Sequence, residues 1–481
     1  MTAVVPDRTA TRPLPVHGHP GEHLRPAIAH GSRAVLDRGV RVGAFAALWA
    51  GMLLVTYWWV RDGGVGDLGG WETGLTSTGR VTGLWASFLL LVQVLLMARL
   101  PFLEQAYGQD RLARIHRWVG FLSFDLMLAH LVLITWGYAA GSVTAFPGTL
   151  WDLVVDYPGM LLATAGTVAL VMVVATSIKA ARRRVRYENW HLIHLYAYLG
   201  VGLALPHQLW TGEQFLASTG RTVFWWGLWI AAAGAVLVFR VGLPVWTSLR
   251  HDLRVTSVVR EDDGVASVYV TGVDLDRLRV RAGQFLTWRF LSGPGWTRAH
   301  PYSLSAAPDG RSLRITVKDL GDGSHAIMQL RPGTRVLVEG PYGRLSERAR
   351  TRRGVLLIGA GVGITPLRAL AEGLSYAPGE CTILYRFSGA PVFRHELEVL
   401  AAERGLHVVP VPGRRRSPDS WLGSGVPASV DDVTAARHWA PDVADRDVYL
   451  CGPDPWMDQV RRTLVAAGVP QEQIHVESFG W

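Results

Sequence analysis

The chain has 481 residues, 49% of them hydrophobic, a positive mean hydropathy of +0.19 and a formal net charge of +9. It is too long for one domain and its first half is too apolar to be soluble, so the composition predicts two or three domains with one embedded in a membrane. The two cysteines, Cys381 and Cys451, form no CxxC pattern, which excludes a disulfide framework and a zinc-type thiolate site and leaves histidine to carry any metal.

Residues 1–40 read as a cytoplasmic, disordered tail in which His17, His19, His23 and His30 lie among Pro, Gly and Arg. Apolar runs follow near 42–60, 81–98, 118–138, 159–178, 190–210 and 222–243, each about the 20 residues that a bilayer needs. They predict an all-α, six-helix transmembrane bundle over 41–248. No cleavage site is apparent before the first run, which therefore reads as an anchor and not as a signal peptide.

Basic residues mark one side of this bundle: Arg33, Arg38 and Arg41, then Arg99, Arg111, Arg114 and Arg117, then Lys179, Arg182, Arg183, Arg184 and Arg186. The opposite loops carry far fewer, with Arg61 and Arg80 beside Asp62, Asp67 and Glu72. An integral protein of the cell membrane with both termini cytoplasmic is expected. The run from Lys179 to Arg186 sits between two apolar segments, so it reads as topogenic, and no nucleic-acid partner is expected.

Four histidines fall inside the apolar runs. His116 and His130 are 14 residues apart, which puts both imidazoles on one helix face with about 21 Å between them. His194 and His207 are 13 apart, roughly 20 Å. A lone transmembrane histidine serves most often as a helix-to-helix hydrogen bond or a proton relay. Matched spacing on two helices instead suits two stacked haems, each iron taking one histidine from each helix. Thirteen residues on a straight helix leave His194 and His207 about 140° apart, and Pro206 offers a place for the helix to rewind. His191 competes with His194 and is kept as a residue beside the ligand.

From about 249 the pattern changes. Alternating runs at Leu253–Val259, Ser267–Val270, Phe285–Phe290 and Leu313–Val317 predict an antiparallel β-barrel over 249–348. Over 349–481 the pattern is strand, glycine turn, helix: Val355–Ile358, then Gly359, Gly361, Gly363, Thr365 and Pro366, then Leu367–Leu374. It predicts an α/β Rossmann-like nucleotide-binding domain in which the turn lets the backbone approach a pyrophosphate.

The run Arg298-Ala-His300-Pro301-Tyr302-Ser303-Leu304-Ser305 resembles the flavin motif of the ferredoxin–NADP reductase superfamily, in the form found in NADPH oxidases and ferric reductases. The resemblance implies that Tyr302 packs on the isoalloxazine of FAD, Ser303 hydrogen-bonds near its N5 and His300 approaches the diphosphate. The reductase branch usually has Arg at the position of His300. Gly323-Ser324 resembles the second phosphate-binding element. Gly359 to Pro366 resembles the nicotinamide-nucleotide loop, and Tyr449-Leu-Cys451-Gly452-Pro453 the element that sets a cysteine beside the nicotinamide. Glu477-Ser-Phe479-Gly-Trp481 resembles the aromatic terminus that stacks on the flavin. Residues 41–248 resemble the ferric reductase domain, whose ligands lie on the third and fifth helices, here His116 and His130, His194 and His207.

The expected function is transmembrane electron transfer from NADPH, through FAD and two b-type haems, to an extracytoplasmic acceptor, with ferric chelates favoured. A flavin is needed because the nicotinamide gives a hydride while haem iron takes single electrons. Arg386, after the strand Thr382–Tyr385, stands where an acidic residue would favour an unphosphorylated ribose. It points to NADPH over NADH, although a surface cation would read the same. The alternatives are an oxidase that reduces oxygen to superoxide and a cytochrome that donates to an external partner. Ile134 occupies the position one turn beyond His130 where oxidases of this family often carry histidine. Arg80 could steer an anionic acceptor or merely mark the interface. A transporter with histidine proton relays is disfavoured because it has no use for a flavin motif. Oligomeric state is open.

Overall fold

The computed structural model describes residues 28–178, 187–293 and 295–478. Two compact units meet in sequence at Pro244–Val245. Residues 1–27, the stretch from Lys179 to Arg186, and Phe479 and Trp481 lie outside the described residues.

The first unit is helical: α1 (Ile28–Arg61), α2 (Trp71–Met97), α3 (Gln109–Tyr138), α4 (Met160–Ser177), α5 (Tyr187–Trp210) and α6 (Thr219–Ala235), which runs on to His251 through a π turn. The first helix starts inside the segment expected to be a disordered tail. The tail's last proline is Pro26, and nothing beyond it breaks a helix. Five helices among the described residues, not six, are long and apolar enough to cross a membrane: Val35–Arg61, Trp71–Met97, Arg111–Tyr138, Met160–Ser177 and Thr219–His251. The difference is α5. It has 24 residues, but Asn189, three histidines and Gln208 dilute its apolar content.

Side-chain bonds sort the helix ends into two groups. At one end, the Tyr107 hydroxyl donates to the Arg41 carbonyl at 3.1 Å and Arg240 to the Met97 carbonyl at 2.9 Å. At the other, Arg221 makes a two-pronged bond to Asp62 at 2.5 and 2.7 Å and reaches Gln214 at 2.6 Å. Two-pronged guanidinium–carboxylate geometry is the strong form of the ion pair, and here it ties the end of α1 to the start of α6. Helices therefore alternate in direction along the chain, as an up-down bundle requires.

The second unit opens with six antiparallel strands. The first sheet has the order β1 (Arg254–Asp262), β2 (Val265–Thr271), β5 (Ser312–Lys318), and the second has β4 (His300–Ser303), β3 (Phe285–Phe290), β6 (Val336–Tyr342). The two three-stranded sheets share one core around Val268, Leu286, Trp288, Leu304 and Ile315. Isolated bridges at Arg254–Arg335 and Leu304–Ile315 join them. The helix α7 (Asp322–Met328) follows β5.

The rest is a five-stranded parallel sheet of order β11 (Ile474–Ser478), β10 (Arg446–Gly452), β7 (Gly354–Ala360), β8 (Cys381–Phe387), β9 (His407–Pro412). Apolar clusters cover both faces, which is why the central strand β7 reads as the unbroken run Val355-Leu-Leu-Ile358. The helices α8 (Ile364–Gly373), α9 (Arg394–Arg404), α10 (Asp432–Trp439) and α11 (Asp454–Ala466) complete it. The chain builds outward from β7 through β8 to β9, then returns to add β10 and β11 on the other side. In such sheets the ligand crevice opens where the order reverses, here between the C-terminal ends of β7 and β10.

Candidate functional site

In the helical unit the four histidines of the apolar runs form two pairs. The rings of His116 and His194 are 6.0 Å apart between centroids, and those of His130 and His207 are 6.3 Å apart. The first pair lies toward the bundle end that holds Tyr107 and the second toward the end that holds Gln214. Although Pro206 lies within it, α5 stays helical from Tyr187 to Trp210 and delivers His207 to its partner. His194, not His191, faces His116.

Hydrogen bonds choose the tautomers. The Nδ1 atoms of His116 and His130 lie 3.2 Å from the Gln93 carbonyl and 2.7 Å from the Gly79 carbonyl, both on α2. A carbonyl only accepts, so Nδ1 carries the proton and Nε2 offers its lone pair. Thr211 already donates to the His207 carbonyl at 2.8 Å, so its hydroxyl accepts from His207 Nδ1 at 2.6 Å and sets the same tautomer. The His194 Nδ1 is buried with no partner among the described residues, beside the Trp190 ring at 4.9 Å. The backbone bonds are possible because α2 passes close to α3. A Cβ on Gly83 would sit 2.4 Å from His130 Nδ1.

This donor set fits iron in a macrocycle. After the ring radii are subtracted, 6.0 and 6.3 Å leave room for one ion held by two nitrogens at about 2 Å each. Among the described residues no three or more His, Cys, Asp or Glu side chains converge on a common metal position. Two imidazoles per ion are what the chain would supply to a haem iron.

In the second unit the run that resembles a flavin motif is strand β4, which the alternation pattern passed over because it is only four residues long. Its pairing with β3 sets Tyr302 opposite Leu286 and His300 opposite Trp288, whose indole donates to the Tyr302 carbonyl at 3.0 Å. Tyr302 stacks on His300 at 6.2 Å, and burial pushes its phenol up to about 12, so the hydroxyl stays protonated at neutral pH. Ser303 is 3% exposed and its hydroxyl has no partner among the described residues. An unmade buried hydrogen bond costs about 1–3 kcal/mol, so this oxygen fits a ligand that would pair with it. A Cβ on Gly323 would stand 3.0 Å from His300 Cε1, so the two phosphate elements expected from sequence are neighbours. The Ser324 hydroxyl is occupied within its own turn, accepting from Leu320 N and donating to the Gly321 carbonyl, both at 2.8 Å.

At the sheet's switch point the loops after β7 and β10 touch. A Cβ on Gly363 would fall 2.4 Å from the Cys451 carbonyl, and Gly361 holds φ +56°; both positions require glycine. Thr365 donates to the Val362 carbonyl at 3.0 Å and closes the turn that ends at Pro366 in α8. Cys451 pairs in register with Gly359 on one side and Glu477 on the other, followed by Gly452 and Pro453. Burial, helped by Glu477, pushes its thiol well above the ordinary range, which keeps it protonated at neutral pH. Glu477, 6% exposed, is a buried carboxylate that motif reading passed over as part of the aromatic terminus. Arg386, next to last in β8 and half-buried, donates to the Gly413 carbonyl at 3.3 Å and lies 5.8 Å over the Trp456 ring. Burial and then the neighbouring Arg415 hold its pKa below the ordinary value. Arg80 faces Asp67 at 4.0 Å at an exposed position.

Residues 82–205 match the family described as ferric reductase like transmembrane component, and residues 357–462 match the oxidoreductase NAD-binding domain family. The chain is 32% identical over 243 residues to the ferredoxin reductase component of 3-ketosteroid-9-alpha-monooxygenase from Mycolicibacterium smegmatis, a match over 47% of this chain and 65% of that protein. It is 30% identical over 212 residues to a flavohemoprotein of Xylella fastidiosa, over 42% and 51%. Among solved structures, the FAD/NAD-binding domain of nitric oxide dioxygenase from Vibrio cholerae is 28% identical, with a TM-score of 0.40 over 48% of this chain and all of that one. The chain is thus similar to a ferric reductase-like transmembrane component over residues 82–205 and to an oxidoreductase NAD-binding domain over residues 357–462, and it spans about half to two thirds of the relatives it matches.

Proposed function

We propose that this protein carries electrons from cytoplasmic NADPH, by way of FAD and two b-type haems, across the cell membrane to an extracytoplasmic acceptor, with ferric chelates favoured. The observation that carries the reading is a facing imidazole pair at each end of one bundle, in a chain whose residues 357–462 match an oxidoreductase NAD-binding domain. The bound groups supply the change from a two-electron hydride donor to one-electron transfer. The chain's own residues hold and orient them. His116 with His194 would bind one iron and His130 with His207 the other, the α3 rings fixed by α2 carbonyls. Ser303 would donate to the flavin ring that Tyr302 packs against, with His300, Pro301, Gly323 and Ser324 near the diphosphate and Phe479 and Trp481 over the ring. Gly359 to Pro366 and Cys451 to Pro453 would seat the nucleotide, and Arg386 would favour the phosphorylated ribose.

The basic residues Arg41, Arg99, Arg111, Arg114 and Arg117 cluster at the bundle end that holds Tyr107, which supports cytoplasmic termini by the positive-inside rule. The test uses sealed right-side-out vesicles holding the full chain. NADPH loaded inside should reduce an impermeant ferric chelate outside, with oxidation and re-reduction of the Soret band on the way. A colourless preparation, or a chelate reduced only by external NADPH, would overturn the reading.

A further inference from the structure

Four charged side chains meet inside the second unit, where the antiparallel strands adjoin the parallel sheet. Arg314, on β5 and 6% exposed, grips Glu396 of α9 with two prongs at 2.8 and 2.9 Å. Arg368, on α8 and 1% exposed, lies 2.6 Å from Glu396 and also pairs with Glu372 one turn on. The two arginines converge on Ser305: Arg314 donates to its hydroxyl at 3.1 Å and its carbonyl at 2.7 Å, and Arg368 to the same carbonyl at 3.3 Å. Glu372 in turn accepts from the Ala307 amide at 2.6 Å.

The positions of these contacts matter more than their number. Ser305 is two residues beyond Ser303 on the segment that carries the flavin motif. Arg368 is five residues beyond Gly363, in the helix that leaves the nucleotide loop. Buried ion networks rarely exceed well-packed apolar residues in stability, so their distinctive product is fixed geometry. We propose that Arg314 and Glu396 are positioning residues: with Arg368 they lock the Ser303 strand to the nucleotide-loop helix and so set the distance over which hydride passes from nicotinamide to flavin. The proposal rests on the functional reading above. Hydride transfer is steep in that distance, and a displacement of about 1 Å can cost ~100-fold.

The test removes one charge of each sign with Arg314→Met/Glu396→Leu in the full chain, leaving Arg368 and Glu372 as a neutral pair. The double variant should keep its FAD, its thermal midpoint and its KM for NADPH. Single-turnover flavin reduction at saturating nucleotide should slow about 10- to 100-fold, with a larger isotope effect from nicotinamide deuterated at C4. Amide exchange should quicken together at residues 303–307 and 364–373. Arg314→Lys is the second variant: it keeps the charge and loses the two-pronged grip, and should slow flavin reduction with a KM near the parental value. Parental reduction rates in either folded variant, or unchanged exchange in both segments, would overturn the clamp. A parental protein that NADPH does not reduce overturns the functional reading instead, and the exchange measurement still decides whether the two segments are coupled.

Discussion

The two units hold their reactive groups by opposite means. In the helical unit the imidazoles of α3 are fixed by neutral backbone carbonyls of α2, and His207 by the hydroxyl of Thr211. The bidentate ion pair of that unit, Arg221–Asp62, sits at helix ends. In the second unit the segment after the flavin strand is held by two arginines and two glutamates, three of the four side chains less than 10% exposed. The contrast is the one that a membrane-embedded helical unit and a water-exposed second unit would require. At membrane depth a charge has no water to fall back on, so orientation comes from neutral donors and close backbone approach. In a water-soluble domain the desolvation cost of a charge is met by an opposite charge with good geometry.

The comparison can be broken most sharply at the imidazoles. Each pair should behave as a unit: His116→Ala or His194→Ala should remove one haem, and His130→Ala or His207→Ala the other. Pyridine haemochrome should then fall from about two per chain to about one. A full complement of haem in all four variants would end the assignment of ligands and leave the paired rings as packing.

A second test asks whether close backbone approach does the orienting. Gly83→Val puts a branched side chain where a Cβ alone lies 2.4 Å from His130 Nδ1. The haem assigned to His130 and His207 should be lost or turn high-spin, while the other keeps its spectrum. An intact pair of low-spin spectra would show that the Gly79 and Gly83 face of α2 is not what aims His130.

The smallest expected effect belongs to Ser303→Ala in the second unit. The hydroxyl is one neutral donor, worth about 1 kcal/mol, so flavin reduction by NADPH should slow about fivefold while FAD stays bound. Stopped-flow absorbance under anaerobic conditions reads it directly. Reduction at the parental rate would mean that the buried Ser303 oxygen faces something other than the flavin.

Much of this protein was legible in the sequence because its signals are local. The 14-residue step from His116 to His130, the glycines from 359 to 363 ahead of a helix, and the HPYS run each occupy one short stretch, and helix rise or turn chemistry converts them directly into position. Thr211 was legible in principle, four residues after His207 and therefore one turn away. Other features depended on packing. The angular mismatch between His194 and His207 could not be resolved from a straight-helix estimate, yet α5 brings both rings to their partners. Length and composition predicted six equal spans, whereas α5 falls short of the apolar content of the other five because it carries the histidines themselves.

What sequence alone determined was the class of chemistry: two imidazole-bearing helices, a flavin strand and a nucleotide loop, in that order. Which atoms orient them depends on packing between distant segments. The carbonyls of Gln93 and Gly79, the partnerless hydroxyl of Ser303, the contact of Gly363 with Cys451 and the convergence of Arg314, Arg368 and Glu396 on one segment all join residues far apart in the chain. Backbone carbonyls have no residue-type signature, and an arginine or glutamate reads as surface charge until folding shows what it touches.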